Sequence, residues 1–150
     1  MKNTDTAESK GYDGGKKISG IKRHLLVDTL GLPHAIGITT ANVTDRDGAL
    51  EAIERCSFGL DKVKSVLVDG GYTGQPFAEA IQKQLQGATV QVAKRSELHT
   101  FKVIPKRWVV ERSFAWLEKC RRLWKNCERK INTSLQFVFL AFIALLLKRS

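Results

Sequence analysis

Two carboxylates and one run of cations interleaved with aromatic rings carry most of the chemical potential of this chain. Asp69 ends the apolar, β-branched run Ser65-Val-Leu-Val, and Gly70-Gly71 behind it let the backbone turn sharply with no Cβ to clash. Ligand sites in α/β sheets gather at the carboxyl ends of strands, so a carboxylate there is placed to meet a metal or a substrate. The same acid can instead cap the turn or the helix that follows, and the neighbouring residues leave both readings open. The loop Gly70-Gly-Tyr-Thr-Gly74 has neither the Lys-Ser/Thr ending of a phosphate-binding P-loop nor the spacing of a dinucleotide fingerprint. Glu111 is the only acid from Lys102 to Leu117, with Arg107 one helical turn before it and Arg112 beside it. An i, i+4 ion pair on a solvated face, worth about 0.2 to 0.5 kcal/mol, accounts for it as readily as metal ligation does.

Around Glu111 the run Lys106-Arg107-Trp108 continues into Trp116, Lys119, Arg121, Arg122, Trp124 and Lys125. Cations of this kind neutralise backbone phosphates with release of counterions, and an exposed tryptophan stacks on an unpaired base. The competing reading puts the rings in a core and the cations on a solvated face; for Trp124, which falls on an apolar stripe, the core is expected. Net charge favours a polyanion for the cations. The chain carries +10, and residues 101–150 hold 12 basic and 3 acidic residues against 13 and 12 in residues 1–100. His24, His34 and His99 lack metal-type spacing and are assigned no role, and Cys56, Cys120 and Cys127 include no pair two residues apart. This cysteine usage fits a reducing cytoplasm.

The elements that must position these groups follow from periodicity. At 150 residues, 43% hydrophobic and 27% charged, the chain fits one ordinary domain. Glycines among polar residues make 1–17 a flexible segment with no core element before Ile18, ahead of a folded domain over 18–150. Short β-branched stretches from His24 and from His34 flank Leu30-Gly-Leu-Pro33 as a hairpin. A helix is expected over 45–56, a strand over 65–69, a helix through Phe77, Ala78, Ile81 and Leu85, and a strand from Thr89. Beyond Pro105, Val110, Phe114, Leu117 and Trp124 mark one face of a long helix, with Glu118 two turns along from Glu111, and a last helix runs from about Thr133 to Leu147. The order β-β-α-β-α-β-α-α describes a mixed α/β layer. The longest apolar run, Phe137 to Leu147, has eleven residues, short of the roughly 20 that cross a bilayer, so no membrane partner is expected.

Five blocks carry a resemblance. They are Gly11-Tyr-Asp-x-Gly-Lys-Lys, Gly20-x-Lys-Arg-His-Leu-Leu-Val-Asp-Thr-x-Gly-Leu-Pro, Asp45-Arg-Asp-Gly-Ala, Val68-Asp-Gly-Gly-Tyr-x-Gly, and Pro105-x-Arg-Trp-Val-Val-Glu-Arg-Ser-Phe-Ala-Trp-Leu-x-Lys-Cys-Arg-Arg-Leu. Together they span residues 10 to 130 and resemble bacterial insertion-sequence transposases of the DDE class, the Arg-Trp-Val-Val-Glu-Arg block most specifically. The resemblance implies a ribonuclease-H-like mixed sheet flanked by helices and metal-dependent DNA strand cleavage and transfer. It also implies three carboxylates holding two Mg²⁺ (or Mn²⁺) ions, with Asp69 as the second carboxylate and Glu111 as the third. Arg107 matches the family's Arg four residues before the Glu. The Lys expected seven residues after it is displaced, since position 118 is Glu and the lysine is Lys119. The family's first Asp lies on a strand just upstream of the segment matching Lys2-Asn-Thr. The expected fold is therefore that sheet with its first strand missing, a catalytic domain truncated at its N-terminus and inactive alone. Asp13, Asp28 and Asp45 each match other parts of the pattern. The implied partners are transposon-end and target DNA, contacted by Arg107, Arg112, Lys119, Arg121, Arg122 and Lys125, together with a second copy or a complementing upstream segment, in the bacterial cytoplasm at the nucleoid. The alternative is a non-catalytic DNA-binding or regulatory remnant.

Overall fold

A computed structural model describes residues 7–56, 58–93 and 107–148, with side chains from 108 onward in the last segment. His99, the expected helix start at Pro105 and the side chain of Arg107 lie outside the described residues. The chain is α/β. Strands β1 (Gly11–Asp13), β2 (Ile18–Val27) and β3 (Pro33–Thr40) form an antiparallel sheet in that order, while β4 (Ser65–Val68) and β5 (Thr89–Val92) form a parallel pair. The helices are α1 (Asp45–Arg55), α2 (Gln75–Gln84), α3 (Arg107–Glu118) and α4 (Ile131–Leu147).

Alternation along the β2–β3 hairpin builds two cores on its two faces. Ile21, Ile36 and Ile38 point to one side, where Leu117 of α3, Leu123, and Val138 and Phe142 of α4 close on them. Ala35, Gly37 and Thr39 point to the other and receive α1. The approach is close enough that a Cβ on Gly37 would lie 2.7 Å from Ala52 Cβ. The second core joins Ile53 of α1, Val66 of β4, Phe77 and Ile81 of α2, Leu85 and Ala88. Thr44 caps α1 by accepting from Asp47 N at 3.2 Å, and Asp45 and Asp47 complement the helix dipole in the first turn. At the hairpin turn Asp28 Oδ1 accepts from Leu30 N (2.8 Å) and Leu32 N (3.0 Å), and Gly31 takes φ +83°.

Three expectations are corrected. A strand, β1, lies within the stretch read as loop before Ile18. It is specified by pairing with β2 and by Gly11, where a Cβ would meet Ala41 N at 2.6 Å, rather than by any apolar pattern of its own. The long helix stops at Glu118, because Cys120 adopts extended backbone and the next residues form a 3-10 turn over Arg121–Leu123. That turn buries Leu123 in the core and leaves Trp124 73% exposed, so the apolar stripe does not reach Trp124. The last helix also begins two residues earlier than Thr133. It buries Ser134, Val138 and Phe142 and exposes Leu140, Ile143 and Leu147. Among the described residues no helix is long and apolar enough to cross a membrane.

Candidate active site and nucleic-acid interface

Asp69 follows the last residue of β4 and caps the 3-10 turn Gly70–Tyr72, with Oδ1 accepting from Gly71 N at 2.9 Å. The capping role uses one carboxylate oxygen; Oδ2 has no hydrogen-bond partner among the described residues, and the side chain is exposed. Capping and ligation are therefore compatible in this geometry. The loop is held from α1, whose Arg46 Nε donates to Gly71 O at 3.1 Å. Burial, and then the charges of Asp45 and Asp69, push the Tyr72 phenol up to about 12, so a neutral hydroxyl stands near two carboxylates. Behind them Lys22 Nζ sits 3.3 Å from both Asp13 and Asp45 and donates to Val43 O at 2.8 Å.

Glu111 lies exposed on α3, and the residues after it fix that helix to the hairpin. Ser113 Oγ, fully buried, donates to Gly31 O at 2.7 Å, with Val109 O at 3.1 Å as its second acceptor. Arg112 Nη2 donates to Leu30 O at 2.6 Å, and its guanidinium lies 4.6 Å from the Trp108 ring centroid and 5.0 Å from that of Trp116. Arg112 thus has an intramolecular task beside the DNA contact expected of it.

Lys119, Arg121, Arg122 and Lys125 are all exposed along the turn that follows α3. Arg122 is paired with Glu128, at 2.9 Å from Nε and 2.8 Å from Nη2, and packs over Phe137. Lys125 lies 5.5 Å from the exposed Trp124 ring. Arg23 reaches this turn from β2, donating to Leu123 O.

Asp69 and Glu111 belong to different layers, the first on the loop held by α1 and the second on α3 against β2. Among the described residues no three His, Cys, Asp or Glu side chains gather to hold a metal ion. Sequence reasoning missed Arg46, Tyr72 and Lys22. Arg46 and Tyr72 sit in the Asp45 and Val68 blocks, but only the fold shows that these blocks touch.

The chain matches the family model described as Transposase DDE domain over residues 1–147, and it belongs to that family. It is also 33% identical over 118 residues to the "Putative transposase for insertion sequence element IS402" of Burkholderia cepacia, an alignment covering 74% of this chain and 55% of that protein. The chain spans about half the length of this relative. No solved structure matches it significantly.

Proposed function

We propose that the chain forms part of the catalytic domain of an insertion-sequence transposase, with Asp69 and Glu111 as two of three carboxylates. The observation that carries this reading is Asp69 itself, an exposed strand-end carboxylate with one oxygen capping its loop and the other open, in a chain of the DDE family. Exposed carboxylates are the hard oxygen ligands that suit Mg²⁺ or Mn²⁺. Two such ions would supply electrostatic stabilisation of the attacking and leaving oxygens of a phosphoryl displacement. The residues of this chain orient that centre: Arg46 holds the Asp69 loop, and Arg112 and Ser113 fix the helix bearing Glu111.

A ribonuclease-H-like sheet is supported by the strand pattern. Leu26 of β2 and Val66 and Val68 of β4 pack into one core, yet β2 and β4 lie in separate sheets. One strand between them, supplied from outside the described residues, would join all strands into one mixed sheet and bring a third acid beside Asp69. DNA would be gripped by Lys119, Arg121, Arg122 and Lys125, with Arg107 and Arg112 nearer Glu111. The second reading is a DNA-binding or regulatory fragment without activity, for which the exposed cations Lys119, Arg121, Arg122 and Lys125 would serve equally.

Nicking of transposon-end DNA in Mg²⁺ or Mn²⁺ separates the two. The chain alone should cleave negligibly, since misplacement of roughly 1 Å already lowers a rate about 10²-fold. Extended by the upstream strand it should cleave, and Asp69→Asn or Glu111→Gln should each abolish cleavage with DNA affinity retained. Cleavage surviving Glu111→Gln sinks the assignment, and an inert extended protein that still binds DNA selects the regulatory reading.

A further inference from the structure

The excess positive charge of the last third draws attention away from a small cationic feature in the first. β1 and the start of β2 form a hairpin, with Gly11 paired to Gly20 and Asp13 to Ile18, whose tip is Gly14-Gly-Lys-Lys17. Asp13 is the only acid from Lys10 to Lys22, and its charge is turned inward. Its Oδ1 accepts from Gly15 N (2.9 Å) and Lys16 N (3.0 Å), and its Oδ2 faces Lys22. Lys16 and Lys17 are exposed and make no ion pair among the described residues. Tyr12 on the same hairpin is 58% exposed.

Lys17 has φ 51°, in the left-handed region that glycine enters freely and an L side chain enters under strain. Two glycines occupy positions 14 and 15, yet the strained position keeps a lysine. Strained backbone of this kind is held in place by the surrounding structure and gathers at functional sites. The hairpin also stands on the Asp69 side of the molecule. Asp13 meets Lys22, Lys22 meets Asp45 in the first turn of α1, and Arg46 next to it holds Gly71 of the Asp69 loop.

We propose that the β1–β2 hairpin tip is a second DNA-backbone contact, in which Lys16 and Lys17 bind phosphates independently of the basic turn after α3. This rests on the transposase reading, and its test keeps the two apart. Affinity of the full chain for a random-sequence duplex is measured by fluorescence anisotropy across a salt series, with melting temperatures in parallel. Each neutralised phosphate contact removes about 0.9 from the slope of log K against log salt. Lys16→Gln, in ordinary backbone, and Lys17→Gly, which relieves the strain, should each lower the slope by about one and the double variant by about two. Lys17→Gly should at the same time melt no lower than the parent, which a merely structural lysine does not predict. Unchanged slopes in both single variants, with the parent binding DNA and Arg121→Gln weakening it, overturn the hairpin contact alone. A parent that binds no DNA overturns both this contact and the transposase reading.

Discussion

Burial decides the chemistry of His24. Its ring is buried between Thr39, whose Oγ1 is 2.8 Å from Nε2, and Gly48 of α1, where a Cβ would run into the imidazole. Removal from water holds its pKa below the ordinary value, with Asp45 offsetting part of the effect. The folded state therefore resists protonation while the unfolded chain takes up a proton near pH 6.5. Stability is complete above that point and falls as the pH drops toward the lower folded pKa. Asp13 and Asp28 also have lowered pKa values, Asp13 through the Lys16 N–H first, and Asp28 through the Leu32 and Leu30 N–H bonds that outweigh its burial. Their contribution is lost in a separate window, below the ordinary carboxylate value. The melting temperature should thus decline from pH 7 to pH 5, and His24→Gln should flatten that decline while lowering the whole curve. An equal slope in the variant would show that another group titrates. At this scale the sequence was only partly legible. The spacing of the histidines says nothing of the Thr39 partner, which depends on the β2–β3 register, in which His24 faces Gly37.

At the scale of elements, apolar period and turn residues were enough to place the hairpin, α1, β4, α2, β5 and both C-terminal helices in order. They failed where pairing or a turn overrides local pattern. β1 reads as loop because its partner strand, not its composition, makes it a strand. The stripe through Val110, Phe114 and Leu117 continues in sequence to Trp124, and a period of 3.6 gives no warning of the 3-10 turn over Arg121–Leu123. What the pattern could not show at all is how α3 is seated. Ser113 and Arg112 bond to consecutive carbonyls, Gly31 and Leu30, across 82 residues of chain. Ser113→Ala removes one buried bond and should cost about 1 kcal/mol. Gly31→Ala should cost more, because it adds about 1 to 2 kcal/mol of left-handed strain and sets a Cβ 2.9 Å from Ser113 Oγ. Denaturant unfolding of both single variants and the double variant checks this. Purely additive losses would show that the two positions do not share a contact.

For the whole molecule, the candidate site was legible residue by residue and not as an assembly. Asp69 stood out because a strand ended on it, whereas Glu111 was distinguished from an ordinary surface ion pair only by the resemblance of the block around it. How the two carboxylates stand relative to each other was beyond reach, since it depends on how two separate layers meet. The same separation makes a physical prediction. β2 along Leu25–Val27, on the side away from β3, and β4, on the side away from β5, have no strand partner among the described residues. Unpaired edges of apolar strands recruit other chains. The exposed Leu140, Ile143 and Leu147 of α4 add an apolar surface of their own, so self-association by itself does not identify the edges as its cause. Relief does. Extending the chain at its N-terminus with a strand-forming segment of a family transposase should fill the gap between β2 and β4, raise the melting temperature and reduce association, with α4 unchanged. Light scattering and thermal melting of both proteins measure this. If the 150-residue chain is already a monodisperse monomer that melts cooperatively, or if the extension leaves association as it was, the gap between the two sheets is not a strand site.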